Sequence, residues 1–200
     1  MTLNGPDVKR VADALHQGGG AVNNDHVDPK FASISFNAQL NLVKDISLQV
    51  WNRKTNFAYA ANSFRYTKEC MEYFEAEIGV PYPWAKYDQV TVQDFHWGGM
   101  ENTIISTLNA STLFSSKTEN IRSSQGLMAH ELAHQWFGDL VTCKDWSQLW
   151  LNEGFATYYT HLFAGHKDGI DEFRYSTVSY THLRAHETVL DLVCRLLLEK

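Results

Sequence analysis

Between Ile34 and Val50 apolar and polar positions alternate, with Ile34, Phe36, Ala38, Leu40 and Leu42 set against Ser35, Asn37, Gln39 and Asn41. After Lys44-Asp45 the alternation resumes at Ile46, Leu48 and Val50. A period of two places the apolar side chains on one face of an extended chain, so this stretch predicts two paired strands. From Ser63 the period becomes helical, with Cys70, Met71, Phe74 and Ile78 on one stripe. Gly79 stands where a helix C-cap belongs, and Pro81 forbids continuation. Two further strands are predicted over 87–95 (YDQVTVQDF) and 103–108 (TIISTL), separated by the glycine-containing WGGMEN.

A helix is predicted around MAHELAHQWFG (128–138), capped by Ser123 or Ser124, closed by Gly138 and spanning about four turns. Asp145, with Gln148 three residues on, resembles a capping box. It would open an amphipathic helix through Trp146, Leu149, Trp150, Phe155, Tyr158 and Tyr159. Near the start, Val8, Val11, Ala12 and Leu15 also fall at helical intervals, ending at Gly18-Gly19-Gly20 with a flexible loop beyond. No internal repeat or low-complexity tract interrupts this order of elements.

Composition adds bounds. The chain has 200 residues, 44% of them apolar and 13% aromatic, enough for a sizeable core in one or two domains. Seventeen basic against 23 acidic residues give a net charge of -6 and no basic cluster to track a phosphate backbone, which argues against a nucleic-acid partner. Cys70, Cys143 and Cys194 form no CxxC pair, so free and mostly buried thiols are expected rather than disulfides or a thiolate metal site. The opening MTLNGPDVKR lacks the apolar core of a signal peptide, and no run approaches the roughly 18 apolar residues of a membrane span. If that start is genuine the expected compartment is the cytoplasm; otherwise it is unknown.

The chemistry concentrates in HELAH. His130 and His134 are one helical turn apart, about 40° around the axis and about 6 Å along it, so one cation can bridge them. Burying two imidazoles and the Glu131 carboxylate in an apolar segment is costly unless something pairs with them. A catalytic zinc site takes three protein ligands and leaves a fourth position for water. Glu153 is the candidate third ligand, standing in LWLNEGFA with eighteen residues between it and His134. Two imidazoles and one carboxylate suit a single zinc ion. Glu131, next to His130, would take the proton of a zinc-activated water, which points to metal-assisted peptide hydrolysis. The bland alternative is a core helix with two hydrogen-bonded histidines, which the third ligand at this spacing disfavours. His182 and His186 repeat the four-residue spacing without a following Glu or a third ligand, and with His161 and His166 they read as exposed pairs.

GGMEN, followed by HELAHQWFGDLV and then WLNEGFATYY, resembles the aminopeptidase N family of zinc metallopeptidases, the gluzincin aminopeptidases. The resemblance covers residues from about 63 to 178, and VPYPWAKYDQV fits it too. It implies an α+β, thermolysin-like catalytic domain, partial here, with a short β hairpin before it. It implies one zinc held by His130, His134 and Glu153, with Glu131 as general base. Glu101 would grip the free amino group of a peptide substrate, and the backbone of Gly98, Gly99 and Met100, with Asn102, would line the peptide. Three carboxylates against a dication leave one net negative charge to complement a single ammonium. Without the zinc signature, GGMEN would read as a glycine turn between strands.

The chain departs from the family pattern in three places. Tyr158, Tyr159, Tyr175 and Tyr180 lie too close to Glu153 to match the family's oxyanion-binding tyrosine, which is expected to be missing. Residues 1–60 read as a remnant of an N-terminal β domain or an unrelated leader. SYTHLRAHETVLDLVCRLLLEK (179–200) resembles translated adapter sequence, making the expectation a zinc aminopeptidase fragment with a non-native tail, whose isolated chain need not be active. A thermolysin-type endopeptidase and a noncatalytic zinc-stabilised module are the rival expectations, and epoxide hydrolysis, as in the similar leukotriene hydrolase branch, finds nothing in GFATYY to favour it. Oligomeric state and preferred residue are not legible.

Overall fold

The computed structural model describes residues 31–39, 45–53, 56–118 and 120–184. Strands β1 (Phe31–Gln39) and β2 (Asp45–Arg53) pair antiparallel, with Ile34 opposite Val50. The alternating pattern lands as its period requires, since Ile46, Leu48 and Val50 are buried while Ser47 and Gln49 between them are half-buried. Two helices follow, α1 (Phe57–Ser63) and α2 (Thr67–Ile78). The sequence pattern anticipates α2 but not α1, which lacks an apolar stripe long enough to register. Cys70, Met71 and Phe74 of α2 are fully buried, and Gly79 ends the helix in the left-handed conformation at φ 73°.

The chain then enters β3 (Lys86–Val92), the edge strand β4 (Gly99–Met100) and β5 (Ile105–Asn109). The five strands form one sheet in the order β1-β2-β3-β5-β4. β2, β3 and β5 run parallel, and β4 runs antiparallel to β5, with Gly99 opposite Leu108. The hairpin is therefore continuous with the sheet, joined through the β2–β3 ladder. WGGMEN, which separates the two predicted strands, contributes a two-residue strand of its own, because Gly98 O accepts from Asn109 N at 2.8 Å and draws the segment into the ladder. Predicted strand 87–95 stops at Val92, where a turn with Asp94 at φ 59° breaks the extended path.

Three helices complete the described chain, α3 (Gln125–Ala133), α4 (Trp150–Asp168) and α5 (Ile170–Ser179), followed by a short π-helical turn, Tyr180–Arg184. The fold is thus mixed α/β, with the helices packed against a small sheet. Met128 and Leu132 of α3, Ala156 and Phe163 of α4, the α2 stripe and Leu48, Tyr87 and Leu108 of the sheet share one core. Phe74 lies at its centre, with ring centroids 6.2 Å from Trp136, 5.8 Å from Tyr159 and 6.1 Å from Phe163. The loop after α2 binds this core by polar contacts: Trp136 Nε1 donates to Val80 O at 3.0 Å, and Trp84 Nε1 donates to Gln135 O at 3.1 Å.

Several expected helix boundaries shift. α3 is nine residues long, shorter than the four turns expected, because tight turns at Gln135 and Trp136 replace the α-helical pattern ahead of Gly138. Ser123 Oγ accepts from Gln125 N at 3.1 Å, whereas the Ser124 hydroxyl donates to the Ser63 carbonyl instead of capping. Asp145 accepts from Ser147 N and opens only a 3-10 turn, Trp146–Gln148, before α4 begins. The expected apolar face of α4 is only partly covered: Trp146 is 81% and Trp150 61% exposed, while Asn152, Ala156 and Phe163 are the buried residues. The expected helix at 7–17, the Gly18–Gly20 loop, His186, Cys194 and most of 179–200 lie outside the described residues. Cys70 and Cys143 are free thiols, the former buried and the latter half-buried. No described helix is long and apolar enough to cross a membrane.

Candidate metal centre

α3 and α4 pack on each other, and their contact brings three donor side chains together. His130 and His134 project from successive turns of the metal helix, and Glu153 from the first turn of α4. Phe137 is sandwiched between two α4 rings, 4.9 Å from Phe155 and 5.0 Å from Tyr159, which docks the start of α4 against the end of α3. Asn152 Oδ1 accepts from Cys143 N at 3.0 Å and ties the intervening loop to the same helix.

His130 Nε2 lies 3.1 Å from His134 Nε2 and 3.2 Å from Glu153 Oε2, and His134 Nε2 lies 3.6 Å from that oxygen. Donors on a tetrahedron of about 2.0–2.1 Å radius sit about 3.3–3.4 Å apart, so the trio already approximates a coordination shell. One donor atom from each residue falls within 4.8 Å of the others, a group that could hold a metal ion. His134 Nδ1 lies 2.9 Å from Phe137 O, so this nitrogen carries a proton and Nε2 is the one turned to the trio. Gly138 makes room here, because a Cβ on it would approach His134 Nδ1 to 3.1 Å and its φ of 140° suits no other residue.

Charge holds the trio together. Hydrogen bonds from His130 and His134 push the Glu153 carboxyl far below its ordinary range. Burial works against a charge on His134, but the Glu153 hydrogen bond, Glu101 and the Phe137 carbonyl outweigh it and raise its pKa to about 9. Glu131 is 4% exposed, and its Oε2 is buried without a hydrogen-bond partner among the described residues. Burial raises its pKa to about 8, opposed by His134 and reinforced by Glu101 and Glu153. A buried, unpaired carboxylate oxygen beside two imidazoles is the kind of atom that a bound water or cation would complete.

The glycine-rich segment meets the metal helix directly. A Cβ on Gly99 would overlap the Glu131 carboxyl, and one on Gly98 would touch Leu127 at 3.4 Å. The strand therefore passes over Glu131 only because residue 99 has no side chain. Met100 is 38% exposed and Glu101 half-buried. The Glu101 charge acts on Glu131, His134 and Asp139. Asn102 turns away, its Oδ1 accepting from Thr107 Oγ1 at 2.9 Å.

Other predicted positions separate from the centre. His182 is exposed with Nδ1 near Val178 O, and His166 stacks on Tyr73 at 4.5 Å. His161 is not the exposed residue expected: it is half-buried, with the Tyr180 ring 5.7 Å away, and its Nε2 is enclosed and without a hydrogen bond among the described residues. Tyr159 is committed to the Phe74–Phe137 stack and Tyr175 is 70% exposed. Sequence reasoning overlooked Gln135, Asp139 and Asn152. A polar residue between Ala133 and Trp136 in an otherwise apolar run was the available signal for Gln135.

Residues 62–193 match the peptidase family M1 domain, and the chain belongs to that family. It is 37% identical to aminopeptidase N of Canis lupus familiaris over 138 residues, 66% of this chain and 14% of that protein. Identity to Homo sapiens aminopeptidase N is 38% over 132 residues, 62% of this chain and 13% of the relative. Identity to Bos taurus glutamyl aminopeptidase is 40% over 114 residues, 55% and 12% respectively. The chain thus spans about one seventh of the length of the first of these relatives.

Proposed function

We propose that the chain is the metal-binding part of a thermolysin-like zinc aminopeptidase, a hydrolase that removes N-terminal residues from peptides. His130, His134 and Glu153 would hold one zinc ion, and two nitrogens with one carboxylate oxygen are a donor set that suits it. When bound there, zinc supplies Lewis acidity, which acidifies water and polarises a carbonyl. Glu131 accepts the proton of the attacking water and passes it to the departing amine. Its raised affinity for a proton fits a group that must hold one between two steps. Glu101 offers a carboxylate to the substrate's ammonium, and the backbone of Gly98, Gly99 and Met100, with Asn102 closing the turn, lines the peptide.

The observation that carries this reading is the convergence of three donors beside a buried carboxylate oxygen that lacks a hydrogen-bond partner among the described residues. The test is Glu131→Gln in the zinc-loaded chain, assayed on a free-amine aminoacyl reporter. Turnover should fall by about 10²–10⁴ while zinc stoichiometry stays at wild type. A variant that hydrolyses the reporter at the wild-type rate would exclude Glu131 as the base. Equal cleavage of free and N-acetylated peptides by the wild type would assign the site to an endopeptidase.

A further inference from the structure

Gln135 follows the second histidine directly and is fully buried, yet it does not behave as a core residue. Its Oε1 accepts from Ile104 N at 2.8 Å and, at 3.2 Å, shares the Tyr82 hydroxyl proton with Lys86 O, which lies 3.1 Å from the same hydroxyl. Its Nε2 donates to Asn102 O at 3.3 Å and to Asp139 Oδ2 at 2.8 Å. Both amide hydrogens are therefore used, and both oxygen lone pairs face a donor. Two of the four bonds go to the main chain of Asn102 and Ile104, the residues that follow Glu101. The amide grips that backbone as a neighbouring strand would, with one donor and one acceptor.

The gripped turn needs holding. Ile104 sits at φ 66°, a left-handed conformation that a β-branched residue adopts only when its surroundings over-determine it. Ile104 O accepts from Asp88 N at 2.9 Å and Ile105 N donates to Asn102 O at 2.9 Å, so the sheet fixes one side of the turn. Gln135 fixes the other side to the helix that carries His130 and His134. We propose that Gln135 is a positioning residue: its side-chain amide sets the distance between Glu101 and the metal centre, and recognition of a free amino terminus depends on it. The inference rests on the aminopeptidase reading above. A misplacement of about 1 Å can cost about 10²-fold in a reacting geometry, so the register of this turn matters to the site as well as to stability.

Gln135→Met keeps the length of the side chain and removes all four bonds. Gln135→Glu keeps the acceptors and turns an oxygen toward the Asn102 carbonyl and the Asp139 carboxylate, so the two variants challenge folding differently. Tyr82→Phe removes one bond from the same amide and leaves its grip on the turn intact. The zinc-loaded chain is titrated calorimetrically with leucine hydroxamate and with the des-amino analogue, and the ratio of the two affinities reports amine recognition alone. Wild type should favour the amine by about tenfold or more. In the Gln135 variants the ratio should fall toward one while the des-amino analogue still binds within about threefold of wild type; Tyr82→Phe should keep the ratio. A Gln135 variant that holds zinc and retains the wild-type ratio overturns the proposal. So does a ratio that collapses equally in Tyr82→Phe, the result of a merely structural role. A wild type with no preference for the amine removes the aminopeptidase reading itself, a separate failure seen before any variant is made.

Discussion

The two halves of the site are built by different means. His130, His134 and Glu153 converge because two helices carry them at fixed intervals and pack through Phe137, Phe155 and Tyr159. The segment from Gly98 to Ile104 has no such scaffold of its own. It is a two-residue strand ending in a strained turn, and it owes its place to Gln135, Asp88, Asn109 and Thr107 from elsewhere in the chain. Donor geometry is thus local to a helix pair, whereas the Gly98–Ile104 segment is placed by tertiary hydrogen bonds. The two should fail separately.

The largest effect is expected in the helical half. His130→Ala removes a donor and should weaken zinc binding by more than the about 10–100-fold that changes behind a ligand cost, read by calorimetry or bound metal after dialysis. Equal zinc in variant and wild type would break the assignment of ligands. Gly99→Ala probes the junction of the halves: its methyl group meets the Glu131 carboxyl, so turnover should drop by about 10–100-fold with zinc content unchanged. Loss of zinc in that variant would show that the halves are not separable. Thr107→Val cuts the bond to Asn102 Oδ1 and should cost about 0.5–1.5 kcal/mol in chemical denaturation without touching the helical donors. Smallest of all, Lys167→Met breaks a partly exposed ion pair with Glu69 at 3.0 Å, far from both halves, and should stay within about 0.5 kcal/mol of wild type.

This contrast also explains what could be read in advance. His130, His134 and Glu153 were legible because helical periodicity converts sequence spacing into direction, and an eighteen-residue gap leaves room for one return loop. The α2 stripe and the β2 alternation were legible for the same reason, since one face of each is buried. The extent of the edge strand at Gly99 was not, because two residues carry no period. Nor was the early end of α3, which is set by the tight turns that bring the Phe137 carbonyl to His134 Nδ1. Gln135 escaped because, Asp139 apart, its partners lie 31 to 53 residues away in the chain, beyond any local pattern. The exposure of Trp146 and Trp150 likewise depends on what α4 packs against, not on its own spacing.

β4 ends the order of strands, which makes it the margin of the sheet nearest the centre. Along such a margin, amide and carbonyl groups recur at about 6.8 Å per two residues, the repeat of any extended polypeptide. A chain laid there is read through its main chain, whose dimensions do not vary with composition. The outer margin of β4 thus presents main-chain groups whose spacing is indifferent to side-chain identity.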